Sequence, residues 1–202
     1  MSFKDLTPEQ LDAIQEMGNI GAGNAVTAMA QFFNMPTSME VPVVSIKDFT
    51  EVGNMVGDLT QKIVSLKFSI LGEINGYIIF LINAQHGKQM VKILLPDTDK
   101  DAPFTEMEVS CLMEIGNILS SSFVIALSNL TGKFLAISIP KYSHDMMGAV
   151  LDQTVAVIAQ ESDEILVFEA NFLIENERIR THLFLMIPPD EVQALLSSVG
   201  MA

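Results

Sequence analysis

Glu16 and Asn19, and again Glu114 and Asn117, stand three residues apart in stretches that read EMGNIGAGN and EIGNILSSS. A carboxylate accepts hydrogen bonds and pairs with a cation, whereas a primary amide both donates and accepts. Residues three and four apart share one face of a helix, so each pair would act as a unit. Asp12 and Ser110, four residues before each Glu, fall on that same face. A set of this kind can pair charge and hydrogen-bond a polar partner. A solvated carboxylate is a weak base near pH 7. Seen once, it would be ordinary solvated helix surface. Asn, however, is a poor interior helix residue, because its amide competes for backbone hydrogen bonds. Its retention in both copies, on a face that a core does not need, points to use.

The elements that must position these residues are also written twice. At an offset of 98 residues, six of the seventeen positions from Asp12 to Ala28 are identical, where average composition predicts roughly one. Pro42 and Pro140 keep the same distance from Asn19 and Asn117. Thr7 with Gln10, and Thr105 with Glu108, read as capping boxes. Pro8 suits the first helical position. Leu11, Ile14, Met17 and Ile20, like Leu112, Ile115, Ile118 and Leu119, carry the helical spacing to about Phe33 and Leu130, with stops near Asn34 and Thr131-Gly132.

Strand-like runs follow at Ser38 to Ile46 and Phe134 to Ile139, then short helical pieces at about Asp48 to Val56 and His144 to Val155. Each half continues with a hairpin, Lys62 to Ile82 in the first and Glu164 to Ile187 in the second. Closing helices run from Ala84 to Leu95 and Pro189 to Val199, and Leu95 to Phe104 reads as a linker. The expectation is an α+β protein of two helix-strand-helix-hairpin-helix repeats, about residues 1–97 and 105–202. They share an antiparallel sheet, one core and a pseudo-two-fold axis in a single domain.

Composition narrows the field. Of 202 residues, 49% are hydrophobic and 18% charged, which excludes a disordered chain. A net charge of −14 opposes nucleic acid and anionic membranes as partners. No signal pattern and no apolar run of spanning length are expected, and Cys111 stands alone, so the reading is a cytoplasmic protein without disulfides. His86, His144 and His182 share no ligand spacing, so no metal site is expected. GNIGAGN follows no strand and continues a helix, unlike a phosphate loop; close packing against Gly21 and Gly23 fits it better. Met146, Met147 and Val150 suit either the core or an adaptable apolar docking face.

The arrangements Asp12-x3-Glu16-x2-Asn19-x22-Pro42 and Ser110-x3-Glu114-x2-Asn117-x22-Pro140 resemble the signature of the CheC/CheX/FliY phosphatases of chemotaxis. The resemblance covers essentially the whole chain, and the length is most like the CheC members. FliY-type proteins would carry an added flagellar-switch domain, and CheX-type proteins one copy of the motif. The resemblance implies hydrolysis of the aspartyl phosphate of the response regulator CheY. Asn19 and Asn117 would orient the attacking water, Glu16 and Glu114 would pair with a lysine of CheY, and Asp12 and Ser110 would support them. It implies no cofactor of the chain's own, since CheY carries Mg²⁺, and it suggests the receptor deamidase CheD as a further partner. The alternative is a non-catalytic module that binds phosphorylated CheY or a flagellar switch partner, as the FliM middle domain resembles this fold without the motif.

Overall fold

The computed structural model describes residues 6–40, 42–48, 58–150, 152, 164–174 and 179–201. The elements are α1 (Pro8–Phe33), β1 (Thr37–Met39), β2 (Val43–Asp48), β3 (Lys62–Gly72), β4 (Gly76–Asn83), α2 (Ala84–Leu94), α3 (Glu106–Thr131), β5 (Leu135–Ile137), β6 (Lys141–Met146), β7 (Glu164–Ile174), β8 (Ile179–Ile187) and α4 (Pro189–Ser198).

The two longest helices, α1 and α3, start and stop for the same reasons. Thr7 Oγ1 accepts from the Gln10 N–H while the Gln10 side chain accepts from the Thr7 N–H at 3.0 Å. Thr105 and Glu108 repeat this, with the return bond at 2.7 Å. Both expected capping boxes are therefore formed, satisfying donors that a helix start leaves orphaned. Asn34 and Gly132 end the helices in the left-handed conformation, at φ 51° and 67°.

Among the described residues eight antiparallel strands form one sheet in the order β1-β7-β8-β4-β3-β5, with β2 beside β1 on β7 and β6 beside β5 on β3. The seam between the halves is β4 on β8, from Tyr77 opposite Met186 to Ile82 opposite Thr181. Each half sends its first strands across this seam. β1 and β2 pair with β7 of the second hairpin, and β5 and β6 pair with β3 of the first. The sequence pattern anticipates a shared sheet but not this exchange.

The run expected from Ser38 to Ile46 is broken into β1 and β2, and the motif proline Pro42 falls in the break. Pro140 falls likewise between β5 and β6. Proline has no N–H for the ladder, so the edge strand leaves the sheet there. The helix expected from His144 is corrected: residues through Met146 belong to β6, paired with β3, and helical backbone begins at 147. Lys141 to Met146 lacks apolar alternation; its pairing with β3, Tyr142 against the core and the edge contact of His144 with Phe104 hold it. The expected helix from Asp48 to Val56 lies outside the described residues, apart from Asp48 at the end of β2.

Helices α1 and α3 cover one sheet face, burying Ile14, Met17, Leu112, Ile115, Leu119 and Phe123 on Leu66, Phe68, Phe80 and Phe168. Two repeated glycines set the distance. A Cβ on Gly18 would lie 2.6 Å from Cδ1 of Phe168, and one on Gly116 would strike Cδ1 of Leu66. Gly21 lets the helices meet, since its Cβ would lie 2.7 Å from the Phe123 ring of α3. Gly23 has nothing within 4 Å, so close packing explains Gly21 and not Gly23. Helix α3 is long and apolar enough to cross a membrane by length and composition, which corrects the expectation that no segment reaches that length. Its Leu112, Ile115, Leu119, Phe123, Val124 and Leu127 are buried in this core, while Met107, Ile125 and Leu130 are exposed.

On the other face Met147 and Val150 join Ile63, Ile79, Leu81, Val167 and Phe184 in a second cluster. They are 4% and 3% exposed, so of the two expected uses they serve the core, and the docking reading is corrected. Met146 alone of the three remains exposed, on the edge strand β6.

The expected linker is packed down. Lys88 of α2, 5% exposed, donates to Glu108 Oε2 at 2.8 Å and to the Pro103 carbonyl at 3.1 Å, and lies over the Phe104 ring. This fastens α2 to the start of α3. In the first half Gln10 of the capping box reaches the Met201 carbonyl instead, at 3.1 Å.

Two outcomes follow. Gly18→Ala should destabilise by about 1–3 kcal/mol, because the buried Phe168 ring cannot yield. Gly23→Ala should stabilise by up to about 1 kcal/mol through helix propensity; urea denaturation of both variants measures this. Burial alone would raise the Glu108 carboxyl, but the hydrogen bond from Lys88, the Thr105 N–H and the Lys88 charge outweigh it and hold it below its ordinary value. A depressed folded pKa stabilises fully above the unfolded value near 4.5 and loses that contribution as pH falls through the folded one. In thermal melts against pH, Glu108→Gln should be less stable at pH 7 and should lack this part of the acid decline.

Candidate functional site

Helix α1 presents Asp12 and Glu16 to solvent and leaves Asn19 half-buried. The buried face is taken by Ile14, Met17 and Gly18, so the polar set has only one direction left. Asn19 Nδ2 donates to Glu16 Oε2 at 3.3 Å, so the amide and carboxylate act together. Asn19 Oδ1 accepts from Gln15 Nε2 at 3.2 Å. The same nitrogen donates to the Pro42 carbonyl at 2.7 Å, and Gln15 Oε1 accepts from the Val44 N–H at 3.3 Å. Gln15 thus binds the break between β1 and β2 to the helix, and Pro42 itself is buried.

Helix α3 presents the second set in the same way, with Ser110 and Glu114 exposed and Asn117 half-buried. The surroundings differ. A cleft of about 390 Å³ opens between the helix and the chain from Ile137 to Pro140. Ser110, Met113, Glu114 and Asn117 line its helical wall. The Asn117 amide makes no hydrogen bond among the described residues. Ser110 donates back to the Glu106 carbonyl at 2.9 Å rather than to Glu114. The break between β5 and β6 is tied to the sheet by Ser138, whose Oγ accepts from the Ser69 N–H at 2.9 Å. Beside it Ile139 is 86% exposed, an apolar rim on the cleft.

Glu16 and Glu114 therefore stand in solvent and Asn19 and Asn117 half-buried beside them, each set next to the strand break that holds its proline. Gln15, bonded to Asn19, and Met113, in the wall of the cleft, are the neighbours that motif reasoning passes over. They occupy the same position at the offset of 98, and it is their difference that marks them. Cys111, beside Ser110, is half-buried, and burial followed by the Glu108 charge raises its thiol, which makes it a poor nucleophile.

The sequence model of the CheC-like family matches residues 9–46 and 107–143, from each motif helix through its proline. The chain is 30% identical to the CheY-P phosphatase CheC of Bacillus subtilis (strain 168) over 98% of its own length and 97% of that protein's. The chain belongs to the CheC-like family. Among solved structures it superposes on FliY of Thermotoga maritima with a TM-score of 0.75, at 20% identity, over 97% of this chain and 98% of that one. It also matches a chain of the CheX-CheY-BeF3-Mg²⁺ complex from Borrelia burgdorferi, with a TM-score of 0.55 at 17% identity, over 83% and 95% of the two chains. These likenesses establish the fold of the family, a duplicated helix-and-antiparallel-sheet unit.

Proposed function

We propose that this protein is a phosphatase that hydrolyses the aspartyl phosphate of the chemotaxis response regulator CheY. Glu16 with Asn19, and Glu114 with Asn117, are the working groups. The observation that carries this is the outward presentation of both pairs on rigid 26-residue helices. The second pair faces an open cleft that a partner can enter. The full-length likeness to a protein named CheY-P phosphatase supports the substrate.

The chemistry asks little of the enzyme beyond placement. In hydrolysis of an acyl phosphate, water attacks phosphorus in line while the bond from phosphorus to the aspartyl oxygen breaks. The carboxylate departs, and the water's proton ends on phosphate or solvent. The transition state is loose, with charge spread over the phosphoryl oxygens, so positioning and electrostatics supply most of the catalysis. The Asn amide oxygen accepts from the water and fixes its approach, while its NH₂ holds the geometry from the other side. The Glu meets a cation of CheY and sets the register of insertion. A helix keeps both groups at one spacing, which a loop would not. Metal chemistry is assigned to Mg²⁺ held by CheY, with none bound by this chain.

A capture module built on the same surface would bind phosphorylated CheY without turning it over. Decay of CheY-phosphate at substoichiometric protein separates the two readings. Asn19→Ala combined with Asn117→Ala should remove the stimulation, by a factor on the order of 10². Far-UV dichroism should not change, since Ala is the better helix former. Undiminished turnover in that double variant would contradict the role assigned to the amides. Slower decay with the wild-type protein than without it would favour capture.

A further inference from the structure

The two sites are not built alike, and the difference lies in one residue that the motif does not include. In the first repeat the Gln15 carboxamide is held by the strand break, giving a hydrogen bond to the Pro42 carbonyl and taking one from the Val44 N–H. So fixed, it donates to Asn19 Oδ1 at 3.2 Å, and Asn19 in turn donates to Glu16 at 3.3 Å. The chain of bonds from backbone to Gln15 to Asn19 to Glu16 engages the groups that the proposed reaction needs. These are the oxygen that must accept from water and the carboxylate that must meet a cation.

In the second repeat the corresponding residue is Met113, whose thioether cannot donate a hydrogen bond. Asn117 has no side-chain hydrogen bond among the described residues, and it faces the cleft of about 390 Å³. Its amide and the Glu114 carboxylate meet an incoming partner without first giving up contacts to each other.

We propose that Gln15 is a positioning residue that holds the first site back, so that Glu114 and Asn117 carry most of the turnover. This rests on the phosphatase reading above. Asn19 Oδ1 keeps one lone pair beside its bond from Gln15, so the first site can accept a water only in the orientation that Gln15 and Glu16 impose, and turning the amide to another costs one of those bonds. A net hydrogen bond of ordinary strength corresponds to roughly a three- to tenfold penalty in rate. The restraint is thus graded, and a single substitution can lift it.

The test measures CheY-phosphate turnover in backgrounds that isolate each site. Asn117→Ala leaves the first site and should cost more than Asn19→Ala, which leaves the second. Adding Gln15→Met to Asn117→Ala should raise kcat about three- to tenfold, with a smaller change in KM. The Asn19 side-chain amide resonances should shift in the NMR spectrum of the same variant. The reciprocal change, Met113→Gln added to Asn19→Ala, should lower second-site turnover by a similar factor. It also keeps the proposal testable should Gln15→Met fold poorly.

Equal losses from Asn19→Ala and Asn117→Ala would overturn the proposal. So would a fall, or no change, on adding Gln15→Met, since Gln15 would then be pre-orienting Asn19 for work. Wild-type turnover in the double Asn variant would instead remove the phosphatase reading itself, so the two failures are distinguishable.

Discussion

The structure depends on the exchange of edge strands between its two halves. β1 and β2 follow the first motif helix yet pair with β7 of the second hairpin, while β5 and β6 follow the second and pair with β3 of the first. Each hairpin thus receives its edge cover from the other repeat, and β4 on β8 closes the seam between them. An exposed sheet edge invites unwanted pairing, and here each half covers the other's. Because each motif helix runs directly into the strand it sends across, the exchange also fixes where that helix lies on the sheet.

Position alone would not aim the side chains. Gly18 and Gly116 do that, by letting α1 and α3 sit against Phe168 and Leu66 at a distance no larger residue permits. With the glycine facing the sheet, the residue after it, Asn19 or Asn117, stands at the boundary of the core, and Glu16 or Glu114 stands in solvent. The motif prolines complete the arrangement from the strand side. They interrupt the edge strands beside each pair, and in the first site the Pro42 carbonyl becomes the fixed point to which Gln15 is bonded. Symmetry in backbone and motif therefore coexists with asymmetry in the residues between them.

Much of this was legible in the sequence because it is local. Capping boxes, helix stops and hairpins depend on neighbouring residues, and Thr7, Thr105, Asn34 and Gly132 act as their types suggest. The exposure of Glu16 followed from helical spacing alone, whereas Asn19, expected in solvent beside it, is half-buried against Gln15. What escaped is long-range. Nothing in Thr37 to Asp48 says which strand it will join, so the exchange could not be read. The polar, irregular strand Lys141 to Met146 carries no alternation, so its pairing with β3 was hidden and a helix was expected in part of it. Met147 and Val150 could not be assigned until the sheet supplied Ile63 and Phe184 beneath them. Gln15 stayed invisible because a search for repeated residues discards one that changes to Met113, although that change separates the two sites.

The central claim is that the outward Glu and Asn pairs enter the phosphorylation site of CheY. The most direct measurement is the structure of this protein bound to CheY carrying beryllofluoride and Mg²⁺ in place of the phosphoryl group. The account predicts an Asn117 amide within hydrogen-bonding distance of the position from which water attacks, and Glu114 paired with a CheY cation. A complex in which CheY docks elsewhere, with both helical pairs still facing solvent, would contradict it.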